Sequence, residues 1–365
     1  MEETMRHTIL YKRDGYYGGF PVLDHLPDGR LTVGIPVAPF HDHYAIGDWV
    51  VLVSEDEGET WTETGAPMLP QSWPGTSPRE RYDRFATVMS DGSYLCTGSV
   101  GWEVWQTERQ EEAEAQRRRV ARHPADESKV IVGGQRLFVQ RSSDGGRTWN
   151  RREWTVPGVS HITAFPRHAV LADGTILVTA YGNNPASHGH NYVWRSDDGG
   201  GRWRLLTLSG GQYGAEGSES AFLEVSPGCV LALTRTESGY LLQRWSDDSG
   251  RTWSYPLRTD IWGHPPHLLK LRDGRVLCSF GYRRAPMGVR AVLSEDNGVT
   301  WQVDNPIILR DDGGYPCQFH GDPARAGADV GYPLSTQLSD DSILTVYYIT
   351  LSDGVTHSVA TRWEV

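Results

Sequence analysis

Six stretches of the chain share one pattern of polar and apolar positions. A short run in which the two alternate leads into a tight turn, and a nearly all-apolar run follows. The copies are FPVLDHLPDGRLTVGI from Phe20, RFATVMSDGSYLCTGS from Arg84, RHAVLADGTILVTAY from Arg167, ESAFLEVSPGCVLALTR from Glu219, PHLLKLRDGRVLCSFGYR from Pro266 and YPLSTQLSDDSILTVYY from Tyr332. Period-two alternation predicts half-buried strands, and the Asp-Gly-type turns join each pair as a hairpin. In the first five copies a further strand pair follows, which makes four strands per unit, the make-up of a propeller blade. The sixth unit runs out of chain after a third strand near Thr356–Trp363, while Arg6–Lys12 at the other end is a spare strand. Pairing the two would complete the last blade and cover its edge. The pattern therefore predicts an all-β, six-bladed β-propeller with four-stranded antiparallel blades, one domain over residues 1–365.

A second repeat interleaves with the first. The octets SEDEGETW (Ser54–Trp61), SSDGGRTW (Ser142–Trp149), SDDGGGRW (Ser196–Trp203), SDDSGRTW (Ser246–Trp253) and SEDNGVTW (Ser294–Trp301) follow S-x-D-x-G-x-T-W, and only Arg202 breaks the Thr position. The Asp is placed to accept backbone N–H groups within a turn, the Gly to supply a positive φ, and the Trp to pack under the loop. The second blade carries an extra segment, Trp102–Lys129. There Thr107 with Gln110 reads as a capping box, and EEAEAQRRR as a short solvated helix with a Glu114–Arg118 pair.

Composition agrees with short strands and tight turns: Gly 41, Pro 21, Trp 14 and Tyr 16. A net charge of −11 argues against nucleic acid or an anionic membrane as the main partner, but leaves room for a small anion held by a few arginines. Cys96, Cys229, Cys278 and Cys317 lie far apart, and Cys96 and Cys278 fall in apolar runs as small hydrophobes. Neither a leader-like N-terminus nor a membrane-length apolar stretch is evident, so a cytoplasmic location is expected.

Strand arithmetic puts the Asp-Gly turns and the octets at one face. At the other face, a central mouth would gather His41, Asp42, His43 and Tyr44; Arg84; Arg167 and His168; His188 and His190; Glu219 and Arg235; His264, His267, Arg283 and Arg290; and Tyr332.

With these positions in place, the octets resemble the Asp-boxes of the sialidase superfamily, over essentially the whole chain. That resemblance implies a Tyr nucleophile, a Glu that takes its proton, an acid/base Asp and three arginines that clamp a substrate carboxylate. A neutral Tyr beside a Glu base avoids the repulsion that a carboxylate nucleophile would suffer from an acidic sugar. Tyr332 in DVGYPLSTQL matches the nucleophile, Glu219 in GSESAFLEV the base, and Asp42 in FHDHY the acid/base group. Arg235 resembles the second clamp arginine, and Arg290 the third, with Arg283 competing for that role. One departure stands out: the first blade opens with Gly19-Phe20-Pro21, where the family carries an Arg-Ile-Pro-like tripeptide. Arg84 is the candidate substitute.

The resemblance implies an exo-acting glycosidase that releases a terminal acidic sugar, with a carbohydrate partner and no cofactor. Two other classes compete. A polysaccharide lyase would use His168 or His267, Arg84 and Tyr332 as base, carboxylate neutraliser and acid. A non-catalytic carbohydrate-binding propeller would fit the missing arginine. The pairs His41/His43, His188/His190 and His264/His267 lack a Glu-rich or Cys-rich partner set, so no metal is expected.

Overall fold

The computed structural model describes residues 5–26, 29–39, 41, 43, 48–64, 87–123, 126–144, 148–184, 187–209, 217–319 and 322–365; side chains at 48, 87–88, 101, 165–167, 183–184, 187–189, 209, 317–319 and 322–326 lie outside that description. Six antiparallel sheets, each with a four-strand path, are the blades of an all-β, six-bladed propeller. By contact density the chain divides into one compact unit of Met1–Pro67 with Asp260–Val365 and another of Met68–Thr259.

In the first unit, blade one runs Val22–His25, Leu31–Val37, Asp48–Ser54 and Thr62–Glu63, and blade five runs His264–Lys270, Val276–Tyr282, Met287–Ser294 and Ile307–Gly313. Blade six is Val330–Gln337, Ile343–Thr350 and Thr356–Trp363, and its fourth strand is Arg6–Tyr11 from the other end of the chain. The N-terminal strand is thus paired as the sequence predicts, in register from Arg6 opposite Arg362 to Ile9 opposite Val359, with a shift before Tyr11 opposite Ser358. Leu277, Val289, Val330, Ile343, Tyr347 and Trp363 form the core between blades five and six. A two-stranded hairpin, Pro316–Phe319 with Asp322–Ala328, precedes the last blade; the repeat gave no sign of it.

In the second unit, blade two is Thr87–Val88, Tyr94–Gln106, Lys129–Ser142 and Asn150–Thr155. Blade three is His161–Val170, Ile176–Asn184, Ser187–Ser196 and Arg204–Ser209, and blade four Gly217–Ser226, Cys229–Thr236, Tyr240–Ser246 and Leu257–Trp262, the last strand running past the unit's end at Thr259. The innermost strand of blade three starts at His161, six residues before the Arg167 start that the pattern suggests. Pro166 masks the earlier residues, because proline interrupts a ladder; the chain accommodates it where the register shifts between Ala164 and His168.

The four octets that lie wholly within the described residues form the expected turns. Ser246 Oγ donates to Asp248 Oδ1 (2.8 Å) and accepts from Gly250 N (2.8 Å), while Asp248 accepts from Thr252 N (2.8 Å) and Thr252 Oγ1 (2.7 Å). Two consecutive residues, Ser249 (φ 57°) and Gly250 (φ 78°), take the left-handed backbone. A Cβ at Gly250 would lie 2.8 Å from Leu177 of blade three, so the turn also docks on its neighbour. Gly58 meets Leu344 of blade six, and Gly200 meets Leu95 of blade two, in the same way.

The blade-two insertion differs from its sequence reading. Its ends prolong the blade's two central strands, and the helix is a single short turn system, Thr107–Arg109 in 3-10 form and then Gln110–Ala115. No capping box forms: the N-cap is Arg109, and Thr107 Oγ1 bonds Glu127 O instead (3.2 Å). The helix ends before Arg118, which turns inward to Glu103 (2.9 Å) and Gly133 O (2.7 Å) rather than to Glu114. Ala113 is buried on Val130 and Val132, so the segment has a packed face.

Candidate functional site

In the first unit, the entry of blade six is irregular. The ladder shifts between Gly331 and Leu334, and such a bulge re-aims the side chains within it. Gly331 is required there: its φ is 140°, and a Cβ would stand 2.8 Å from His264 O of blade five. Tyr332 follows with φ 55°, a left-handed conformation that is unfavourable for a bulky residue. Phe20, in the tripeptide that opens blade one, has φ 56° and packs edge-on against Tyr332 with ring centroids 4.9 Å apart. Tyr348 closes the wall, 5.0 Å from Phe20 and 5.8 Å from Tyr332.

Beneath this wall lies a buried carboxylate that the sequence reading missed. Asp329 is 0% exposed and accepts from His43 Nδ1 (2.8 Å), Thr356 Oγ1 (3.2 Å), Tyr17 OH (3.4 Å) and Thr350 Oγ1 (3.5 Å). Burial works to raise its pKa; the charge and hydrogen bond of His43, with Arg283 beyond, outweigh that and hold it below the usual carboxylate value. The Tyr348 phenol is pushed well up, by burial first and then by the Asp329 charge. Its oxygen accepts from Arg283 Nη2 (3.3 Å), while Arg283 Nε donates to Val330 O (2.9 Å). Beyond its place three residues before Tyr332, nothing in the sequence marks Asp329.

Blade five adds a cation–aromatic cluster. Arg290 lies 3.5 Å over the Tyr282 ring, with Nη2 3.5 Å from Pro286 O, and Arg284 lies 4.3 Å over Trp262. Arg283 and Arg290 thus have different settings: one is tied to blade six, the other rests on an aromatic face. His267 sits inside its strand, where Nδ1 accepts from Ser335 N (3.1 Å).

In the second unit, Glu219 occupies an equivalent bulge, between Gly217 and Ser220 at the entry of blade four. It is 4% exposed and accepts from Arg235 Nη1 at 3.1 and 3.2 Å and from Ser218 Oγ at 2.7 Å. The expected Glu–Arg pair therefore forms across the hairpin. His161, which opens blade three, is 4% exposed and stacks on Trp102 with centroids 5.4 Å apart; the late start read for that strand concealed it. His168 lies nearer the opposite turn, where Nδ1 meets Thr97 Oγ1 (3.3 Å) and burial lowers its pKa to about 4. Asp42 and Arg84 lie outside the described residues, and so do the side chains of Arg167 and His188. Among the described residues, no group of three or more His, Cys, Asp or Glu could hold a metal ion, and no helix is long and apolar enough to cross a membrane. Cys96 and Cys278 are buried thiols, and burial pushes the Cys278 thiol up.

Comparison with known proteins follows the same lines. Among curated proteins none matches the chain. A protein of unknown function from Dyadobacter fermentans is similar in structure, with TM-score 0.74, 24% identity and 99% of both chains covered. The K499G mutant of NanB sialidase from Streptococcus pneumoniae is similar at TM-score 0.58 and 14% identity, over 97% of this chain and 70% of that one. Trypanosoma rangeli sialidase in complex with 2,3-difluorosialic acid, described as a covalent intermediate, is similar at TM-score 0.58 and 14% identity, over 98% of this chain and 59% of that one. The family model of the BNR repeat-like domain matches residues 119–346, more than half of the sequence. That match places the chain in the BNR repeat-like family, and its six sheets, each with a four-strand path, make it a six-bladed propeller.

Proposed function

We infer that this protein is an exo-acting glycoside hydrolase of the sialidase type, releasing a terminal acidic sugar through a covalent intermediate on Tyr332. The observation that carries the reading is the setting of Tyr332: a bulged, left-handed residue at the entry of the last blade, held edge-on by Phe20. Such a conformation costs of order 1–3 kcal/mol and persists where the surrounding structure enforces it, often at working residues. Glu219 in its matching bulge is the proposed base that takes the phenolic proton. Arg235, Arg283, Arg290 and Arg84 are the proposed anion-binding groups, and the acid/base group is proposed to come from the first-blade loop, where Asp42 is the residue that the family resemblance points to.

In the first half-reaction, the Tyr332 oxygen attacks the anomeric carbon and passes its proton to the base while the leaving oxygen gains one from the acid. In the second, water attacks the same carbon and gives one proton to the acid/base group, the bond to Tyr332 breaks, and the base returns its proton to the phenolate oxygen. Gly19, where the family's tripeptide carries its arginine, removes one bidentate carboxylate contact, and Phe20 beside it offers an apolar surface. That favours an acidic sugar gripped by fewer charges than sialic acid ordinarily receives.

Elimination gains little from the histidines first considered for it. A base lowered to about pH 4, as His168 is, abstracts protons poorly, and His267 Nδ1 already accepts a strand N–H. The test is a panel of sialosides, other ulosonides and uronides assayed with the wild-type chain, Tyr332→Phe and Glu219→Ala. Cleavage of one acidic glycoside is expected, with kcat/KM falling at least about 100-fold in both variants. Full activity in both would remove the mechanism.

A further inference from the structure

We propose that His43, oriented by Asp329, is the proton-transfer group contributed by the first-blade loop. The proposal rests on the hydrolase reading above and assigns the acid/base role within it to a histidine.

His43 Nδ1 faces the Asp329 carboxylate at 2.8 Å, and that carboxylate stays ionised despite complete burial. A nitrogen opposite a buried carboxylate carries the hydrogen, so Nε2 is the atom that exchanges a proton. Tyr17 OH, 3.0 Å from Nδ1 and 3.4 Å from Asp329, braces the pair. The Asp329 side chain is 0% exposed and that of His43 is 14% exposed. Only the histidine can meet a substrate; Asp329 is a positioning residue. Phe20 stands 4.9 Å from the His43 ring and also 4.9 Å from the Tyr332 ring, so one aromatic side chain separates the nucleophile from the imidazole.

The charged and titratable groups around His43 come from several elements. Asp329 faces it from just before blade six and Tyr348 from within that blade, Arg283 from the end of a blade-five strand through Asp329 and Tyr348, and Tyr17 from the segment before blade one. His41 lies behind Tyr17, its Nε2 on Thr356 Oγ1 (2.9 Å). In the forward step, Nε2–H of the imidazolium gives its proton to the glycosidic oxygen as the bond to the anomeric carbon breaks. In the return step, neutral Nε2 takes a proton from the water whose oxygen attacks that carbon, and the Tyr332–sugar bond breaks.

An acid catalyst matters most for a poor leaving group, and general acids contribute roughly 10²–10⁴-fold. The experiment compares two glycosides of the acidic sugar that the wild-type chain cleaves, one with an alkyl aglycone and one with a nitrophenyl aglycone. In His43→Gln, kcat/KM should fall at least about 100-fold on the alkyl glycoside and less than about 10-fold on the nitrophenyl one. In Asp329→Asn, the imidazolium loses its anionic partner, so the alkaline limb of the pH profile should move to lower pH. Circular dichroism and thermal melting establish that each variant is folded. If Asp329→Asn does not fold, the leaving-group comparison in His43→Gln decides alone. Equal losses on both glycosides in His43→Gln, or the selective loss appearing in Asp42→Asn while His43→Gln shows none, overturn the assignment. A wild-type chain inert on every acidic glycoside overturns the hydrolase reading and takes this proposal with it; an active one isolates the histidine.

Discussion

Two residues that a turn would not ordinarily choose, Phe20 and Tyr332, hold left-handed backbone and press on each other. Asp-box residues such as Ser249 and Asn297 take the same conformation cheaply, because small polar side chains suit tight turns. The contrast separates structural turns from the entry of the last blade. Within a box, the carboxylate is the hub. Burial works to raise the pKa of Asp248, but bonds from Thr252, Ser246 and Arg251 bring it down to about 2, so its contribution is complete above the ordinary carboxylate range and fades as pH falls toward that value. Asp248→Ala should lower stability by about 1–2 kcal/mol at neutral pH, read as a lower thermal midpoint. The wild-type advantage should shrink as the pH approaches 2. Tyr332, Glu219 and Arg235 could be picked from the sequence because each stands beside a recognisable turn or strand start. Asp329 could not, since its role depends on His43, Tyr17 and Thr356, which approach from distant parts of the chain.

At the scale of elements, the hairpins and boxes were legible because their signals are local: alternation, an Asp-Gly turn and an eight-residue motif. The helix in the insertion was misread at its ends for the opposite reason. Thr107 and Arg118 take tertiary partners, Glu127 O and Glu103, that no helical spacing announces. The N-terminal strand shows what a non-local pairing contributes. Arg6 bonds Glu59 (2.6 Å), His7 bonds Thr361 Oγ1 (2.8 Å), and Lys12 pairs with Asp353. Removing residues 1–12 should expose the edge strand Thr356–Trp363 to solvent and to other chains. The expected outcome is a melting temperature several degrees lower and concentration-dependent aggregation by light scattering. An unchanged melt with a monodisperse truncated chain would mean that the pairing is dispensable.

At the scale of the molecule, an acidic chain with net charge −11 places arginines at Arg235, Arg283 and Arg290, each set against a carboxylate, a phenol or an aromatic ring. The blade count and the family follow from repeats that any part of the sequence displays, whereas the substrate depends on a few side chains at blade entries. The most direct measurement is intact-protein and peptide mass spectrometry after incubation with a fluorinated, activated glycoside of the cleaved sugar, which slows breakdown of a covalent intermediate. A single glycosyl addition on the peptide that contains Tyr332, absent from Tyr332→Phe, is the predicted result. An active chain that forms no adduct, or forms it on another residue, would contradict the account.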